Sequence, residues 1–511
     1  MRRLLLVLWI VLAPLPVFAQ RFAQHGQGPS SEDRGKPPSK TGQAIEKLVF
    51  PALKWPVPEV GKDVQREVLP NGIVVYLKED HALPLVEVKV LVRTGSVFEK
   101  PAEHGVAALT GALLRAGGTT TLDAETLNRK LESMSAELET SIGLEEGVAT
   151  LDVLSKDVSQ ALPLLADVLL HPRLDPTKLE LLREQYHESL RRRNDDPDTV
   201  ANREFDKVLY GAHPYGRELD WEVLKKMKRE DVLAWYDKFF HPSLEAVGRK
   251  TPATSLWQRP NVMIAVSGDF KSDEMLATLR RLFGGWEPRK ITAAAPPKVQ
   301  NTPRPGVFVV KKELAQSHVL VGHLSTNRYS PDRVPIAVMN YILGGGSFSS
   351  RVMEKIRNDE GLAYSAGTYF SINTTDLGEF VGYLETKAES THKAVALLVE
   401  EIKRMASGEV TEKELAAARE AYANSFIFGF GDASQTVARL MQLEFNDEPR
   451  DYYQTYLDKV RAVKVEDVAR VAKQHLQPEK LTILVVGNPS KFDRALDALG
   501  PLKTIPLKPV Q

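Results

Sequence analysis

Cysteine is absent from all 511 residues. Disulfides, thiolate metal ligands and a cysteine nucleophile are thereby excluded. An excess of either charge is missing as well, since 67 Lys and Arg stand against 67 Asp and Glu. Nothing in that balance points to a nucleic-acid or acidic-membrane partner. Histidine is sparse, and none of the eleven has a second histidine four residues away. No helix can therefore present two imidazoles one turn apart, the usual zinc-binding face. The closest pair, His318 and His323, falls on an expected strand, where odd spacing sends the rings to opposite faces. After the first twenty residues no apolar run is long enough to span a bilayer.

The N-terminus carries a targeting pattern. Arg2 and Arg3 precede the apolar run Leu4 to Pro14, and Val17-Phe18-Ala19 resembles a signal-peptidase site. The expectation is a signal peptide over 1–19, cleavage after Ala19 and an exported, periplasmic product without a stable membrane span. A flexible Gly/Pro/Ser/Gln-rich leader follows over 20–60, with one short helix around Ala44–Val49. The rest is too long for one core, so at least two domains are expected.

Asn71-Gly72 between apolar runs signals a hairpin, and Val86–Arg93 alternates as a half-buried strand. Helical spacing predicts helices over Gly105–Arg115, Leu122–Met134, Val158–Leu170, Asp175–Arg193 and Ser272–Phe283, with two more in Asp220–Phe240. Val262–Val266 reads as a strand. The Pro/Ala segment 291–306 is a linker between domains at 61–290 and 307–505. Beyond it strands are expected at Val307–Val310, His318–Leu324 and Gly378–Leu384. Helices are expected at Arg333–Leu343, His392–Ala406 and Glu412–Phe426.

The second half echoes the first. Lys228-Arg229-Glu230-Asp231-Val232 answers Lys464-Val465-Glu466-Asp467-Val468 at an offset of 236, which Pro242 and Pro478 share. Gly268-Asp269 then answers Gly487-Asn488 at 219, so the first half holds 17 extra residues, placed in the loop 243–260. Two copies of one domain are implied. Strands that follow one another directly favour an α+β class, each copy a mainly antiparallel sheet packed with helices.

The stretch Gly344–Tyr364 (GGGSFSSRVMEKIRNDEGLAY) organises the second copy. Val352, Met353 and Ile356 make a helical apolar stripe. Ser349 or Ser350 suits the N-cap, and Gly361 suits the exit. Arg357 in the last turn and Tyr364 on the next, extended segment are both donors, and a donor pair can grip a developing oxyanion. Each also has a plain structural use: a cation there complements the helix dipole, and a tyrosine at a strand start packs. The triple glycine lacks the Gly-Lys-Ser/Thr ending of a phosphate loop and reads as a mobile helix-ending turn.

The glycine run, Ser-Ser-Arg and Arg-x6-Tyr ending in Glu-Gly-Leu-Ala-Tyr resemble the C-terminal half of the insulinase/pitrilysin zinc peptidases, processing-peptidase-like branch. That resemblance implies two tandem homologous domains forming one half-shell of a clamshell. It implies that Arg357 and Tyr364 assist peptide hydrolysis at a zinc. Residues 105–114 (GVAALTGALL) resemble the family's metal helix, yet its inverted motif His-x-x-Glu-His is replaced here by Ala108, Gly111 and Ala112. The family's third ligand should fall in Glu184–Leu190, with Glu188 and Ser189 both open. His104 reads as an exposed loop residue, His213-Pro214-Tyr215-Gly216 as a structural loop, and Arg191–Arg193 and Lys225–Arg229 as solvated charge.

The combination implies a chain with no metal or cofactor of its own, inactive alone. It would act as the non-zinc subunit of a heterodimeric metallopeptidase. Arg357 and Tyr364 would serve in trans the zinc of a homologous partner carrying His-x-x-Glu-His, on peptide substrates. The alternative is an inactive structural or peptide-binding scaffold, like the respiratory-complex core subunits that resemble processing peptidases. A self-sufficient peptidase is disfavoured by the lack of clustered histidines.

Overall fold

The computed structural model describes residues 56–243, 260–291, 293–300 and 302–508. The expected signal peptide, nearly all of the expected leader and residues 244–259 of the expected insertion lie outside the described residues.

Two six-stranded sheets carry the fold. In the first, β1 (Gln65–Val68), β2 (Val74–Glu79), β3 (Leu85–Val92), β4 (Glu137–Ile142), β5 (Gly147–Leu154) and β6 (Val262–Gly268) lie in the order β1-β2-β6-β3-β5-β4. In the second, β7 (Gly306–Lys311), β8 (Gln316–Leu324), β9 (Ala363–Phe370), β10 (Glu379–Lys387), β11 (Thr482–Gly487) and β12 (Leu502–Thr504) lie in the order β12-β7-β11-β8-β10-β9. Apart from the added edge strands β1 and β12, the two orders are the same. Each copy has a parallel contact at the matching place, β2 with β6 and β7 with β11; the edge strand β12 also runs parallel to β7, and the remaining pairings are antiparallel. The Asn71-Gly72 hairpin forms between β1 and β2, with Gly72 at φ 88°. Asn71 turns inward, and its amide donates to the carbonyls of Phe283 and Trp286.

Residues 74–77 of β2 and 262–266 of β6 are apolar and buried at every position because both faces are covered there. Val75 and Leu77 of β2 and Ile264 and Val266 of β6 face the helices of their own half. Val74, Tyr76, Met263 and Ala265 face the other way, onto the helix Ala433–Phe445 from the second half. The arrangement is reciprocal. The outer residues Phe308, Val310, Leu320, Leu484 and Val486 of the second sheet lie under Val200, Ala201, Phe205 and Leu209 of the helix Pro197–Tyr210, from the first half. These exchanged helices begin at Pro197 and Ala433, 236 residues apart, the spacing of the sequence repeat. Neither is among the elements expected from periodicity, and the hairpin β4–β5 is also additional. The repeat itself is visible in local geometry. Lys228 and Lys464 each start a helix at φ near −107° and −106°, and each donates its N–H to an aspartate three residues on, Asp231 and Asp467.

Polar groups also join the two halves near the helix Pro197–Tyr210. Glu145, in the β4–β5 turn, accepts from the Tyr215 hydroxyl at 2.6 Å and from the N–H groups of Thr374 and Thr375 in the second half. Burial opposes ionisation of Glu145, but these donors outweigh it and hold its pKa below the ordinary value. His213 is buried, and its Nε2 bonds the Pro297 carbonyl at 2.9 Å while Nδ1 accepts from the Tyr215 N–H. The His-Pro-Tyr-Gly loop is thus structural, as expected. Arg193, read as solvated charge, instead turns inward to Glu218 at 2.6 Å.

Asp206, on the exchanged helix, and Glu379, on β10, titrate as a pair. Desolvation pushes both carboxyl groups up, Asp206 to about 7, and Glu379 further because of Asp206. A carboxyl raised in the folded state favours folding at low pH. That contribution is complete below the unfolded value near 4 and is lost as pH rises through about 7. Asp206→Asn should therefore melt higher than wild type at pH 8, with the gap closing by pH 5. Parallel thermal unfolding curves with no pH-dependent gap would count against this.

Candidate catalytic donor site

Arg357 and Tyr364 meet across a wide helix end. Two residues of α-helix at Arg351 and Val352 lead into the π-helix Met353–Asp359, where an α-helix is expected from the spacing. The stripe Val352, Met353 and Ile356 is buried as its period requires. Glu360 donates back five residues to the Lys355 carbonyl, the bond that widens the coil. Gly361 then takes φ 63°, and the Leu362 N–H closes on the Ile356 carbonyl at 2.9 Å, a Schellman-type exit. The chain turns straight into β9.

That exit brings the predicted pair together. Arg357 Nη1 donates to the Tyr364 carbonyl oxygen at 2.7 Å, and its guanidinium lies over the Tyr364 ring at 4.6 Å. Tyr364 is 77% exposed, the most open of the large apolar or aromatic side chains described. Phe348, 50% exposed, lies under the same guanidinium at 4.7 Å. Two aromatic contacts limit the freedom of the cation and leave its outer donors and the Tyr364 hydroxyl available. Phe348 is not assigned a role by sequence reasoning. The available signal is an aromatic residue placed between the glycine run and Ser-Ser-Arg.

The surroundings explain the rest of the motif. Arg351 forks onto Glu414 at 2.6 and 2.9 Å and also donates to the Glu409 carbonyl, tying the π-helix to the start of the helix Glu412–Phe426. Burial works against ionisation of Glu414, but Arg351 and Thr411 outweigh it and hold the carboxyl at about 2. The first two glycines of the run close the π-helix Tyr341–Gly345, and Gly346 caps it. A Cβ at Gly344 would stand 2.4 Å from the Thr368 backbone nitrogen of β9, so only glycine lets the turn lie on that strand. Ser350 is buried, and its carbonyl accepts the Glu354 N–H at the start of the helix, while the Ser349 hydroxyl donates to the Gly346 carbonyl.

In the first half, the helix Val106–Ala116 carries Ala108 and Ala112, both half-exposed, and Gly111, buried. Gly111 sits hard against β4: a Cβ there would lie 2.3 Å from the Ile142 backbone nitrogen. The Thr140 hydroxyl enters the helix at this point, donating to the Gly111 carbonyl and accepting from the Arg115 N–H. Glu188 and Ser189 are exposed on the helix Pro176–Arg191, which packs beside it. His104 is a correction. It is buried, with Nδ1 2.6 Å from Glu99, whose carboxylate also accepts the Gly105 and Ala107 N–H groups. It therefore belongs to a capping cluster at the helix start, where the orphan N–H groups need an acceptor.

The description Insulinase (Peptidase family M16) matches residues 74–220, and Peptidase M16 inactive domain matches 253–422. A Mycobacterium leprae protein named as an uncharacterized zinc protease is 29% identical over 81% of this chain and 89% of its own length. A Helicobacter pylori protein named non-peptidase homolog YmxG is 25% identical over 83% and 94%. The solved peptidase M16 inactive domain from Pseudomonas fluorescens superposes with a TM-score of 0.71 at 24% identity, over 83% of this chain and 98% of that one. The chain belongs to the insulinase family, peptidase family M16, and resembles its inactive members. Its two tandem α+β domains are the fold of that family. Among the described residues no helix is long and apolar enough to cross a membrane.

Proposed function

We propose that this chain is the non-zinc subunit of an exported, periplasmic M16-type peptidase and serves a homologous partner's zinc site in trans. The observation that carries the reading is the Arg357–Tyr364 pair: two donors, preset by a π-helix exit and held at the surface by stacking. Ala108, Gly111 and Ala112 offer neither a metal ligand nor a base, so hydrolysis needs both from the partner, which would carry His-x-x-Glu-His. Arg357 orients the peptide carbonyl or chain end, and the Tyr364 hydroxyl donates to the tetrahedral oxyanion. Donors aimed at that oxygen act chiefly in the transition state.

The test mixes the purified chain with a zinc-bearing homologue and follows peptide hydrolysis and complex formation. Neither protein is expected to turn over peptide at the rate of the mixture. Tyr364→Phe should lower kcat about 10²–10³-fold, the usual cost of one oxyanion donor, while assembly is retained. Full activity of that variant in an intact complex would sink the trans-donor role. A second reading, a non-catalytic scaffold, is favoured by the relative named as a non-peptidase homologue. It is supported if the two chains bind without any gain in hydrolysis.

A further inference from the structure

A cluster away from the donor pair joins the two halves. His318 on β8 and Glu385 on β10 stand directly opposite in the register, so their side chains rise from one face of the sheet. The first turn of the exchanged helix Pro197–Tyr210 lays Asp198 over them, with Oδ1 2.6 Å from His318 Nδ1. One ligand atom from each of the three residues lies within 4.8 Å of the other two. Glu385 has no other hydrogen-bond or ion-pair partner among the described residues. Lys312, beside the same turn, is committed elsewhere, with its ammonium on the carbonyls of Asn194 and Asp195.

Two carboxylates and one imidazole thus converge from three elements, and among the described residues no lysine or arginine forms an ion pair with Asp198 or Glu385. Like charges so placed repel unless a cation intervenes. We propose that Asp198, His318 and Glu385 bind one zinc-class divalent cation, which ties the first half's helix to the second half's sheet. Donors of a tetrahedral zinc stand about 3.4 Å apart, given bonds of about 2.0–2.1 Å. Small side-chain rotations close the present spacing to that value. One imidazole with two carboxylates suits zinc or manganese better than calcium or magnesium, which favour all-oxygen shells. Water completes the coordination. The short Asp198–His318 hydrogen bond is the contact the cation replaces: Nδ1 gives up its proton to solvent, and the ring binds as neutral imidazole with a proton on Nε2.

Zinc is titrated into the chelator-treated full chain by calorimetry, with thermal unfolding in parallel. One equivalent should bind and raise the Tm. Glu385→Gln and Asp198→Asn should each weaken binding at least about tenfold and abolish the rise. Both are close in shape to the native residues, so the test stands even if His318→Ala fails to fold. Absence of zinc uptake, uptake unchanged in both amide variants, or a preference for magnesium or calcium would each overturn the site. The inference is independent of the peptidase reading: Glu385→Gln should leave hydrolysis by the mixed subunits unchanged. Zinc found in the lone chain and lost in Glu385→Gln is then structural, not catalytic.

Discussion

Replacing Glu444 by Ala is expected to destabilise the chain by about 3–5 kcal/mol, the usual cost of breaking a buried pair by removing one partner. Glu444 is fully buried on the exchanged helix Ala433–Phe445. Its carboxylate accepts from Arg66 Nε and Nη2, both at 2.7 Å, and from the Tyr76 hydroxyl at 2.5 Å. Arg66 lies on β1 and Tyr76 on β2, so one side chain from the second half satisfies two groups of the first sheet's outer face. Alanine leaves the Arg66 guanidinium and the Tyr76 hydroxyl without this acceptor, and removes the helix's polar anchor beside Val437, Leu440 and Met441. A loss of that size is a large part of the roughly 5–15 kcal/mol that holds a typical domain together. Urea unfolding of the variant measures it, and a shift below about 1 kcal/mol, within the range of an exposed pair, would show that the triad does not hold the halves. Glu444→Gln, which keeps one carbonyl acceptor, should fall between alanine and wild type.

Rebuilding the zinc motif is expected to fail at one position. In sequence, Ala108→His, Gly111→Glu and Ala112→His together recreate His-x-x-Glu-His. In the structure Ala108 and Ala112 are half-exposed and accept larger side chains, whereas Gly111 meets β4 backbone where its Cβ would go. A glutamate there must push β4 away from the helix and break the Thr140 bridge to the Gly111 carbonyl and Arg115 N–H. The overpacking alone costs about 1–3 kcal/mol, and a displaced buried hydroxyl adds roughly 1–3 more. The double histidine variant should keep nearly the wild-type Tm, and the triple variant should melt several degrees lower or aggregate. A triple variant with wild-type Tm and hydrolytic activity would mean that β4 yields freely. The expected result makes the missing motif more than three substitutions: the helix has settled onto the strand where the base would stand.

The residue pattern makes much of this architecture legible. The helices Val158–Leu170 and Ser272–Phe283 occur with the expected ends, because an apolar stripe of helical period has one way to be buried. The repeat at an offset of 236 is read from Lys228 and Lys464 and returns as matched helix starts and matched strand orders. Gly361 and the seven-residue spacing locate Arg357 and Tyr364 at one helix exit. The exchanged helices escape the same reasoning. Pro197–Tyr210 and Ala433–Phe445 cover sheets in the opposite half, and no local period states which sheet a helix will meet. His104 shows the same limit: a residue in a loop before a helix is buried here because Glu99 folds back to cap that helix.

The sequence by itself determined the two-copy α+β plan, the absence of His-x-x-Glu-His and the meeting of Arg357 with Tyr364 at a helix exit, since each depends on residue type and short-range spacing. Tertiary structure alone decided that the helices trade sheets, that Phe348 joins Arg357 and Tyr364, that Gly111 has no room for a base, and that Asp198, His318 and Glu385 converge. All but the Phe348 contact join residues distant in the chain. Such contacts are set by which surfaces must be covered together, and no stretch of sequence carries that information alone.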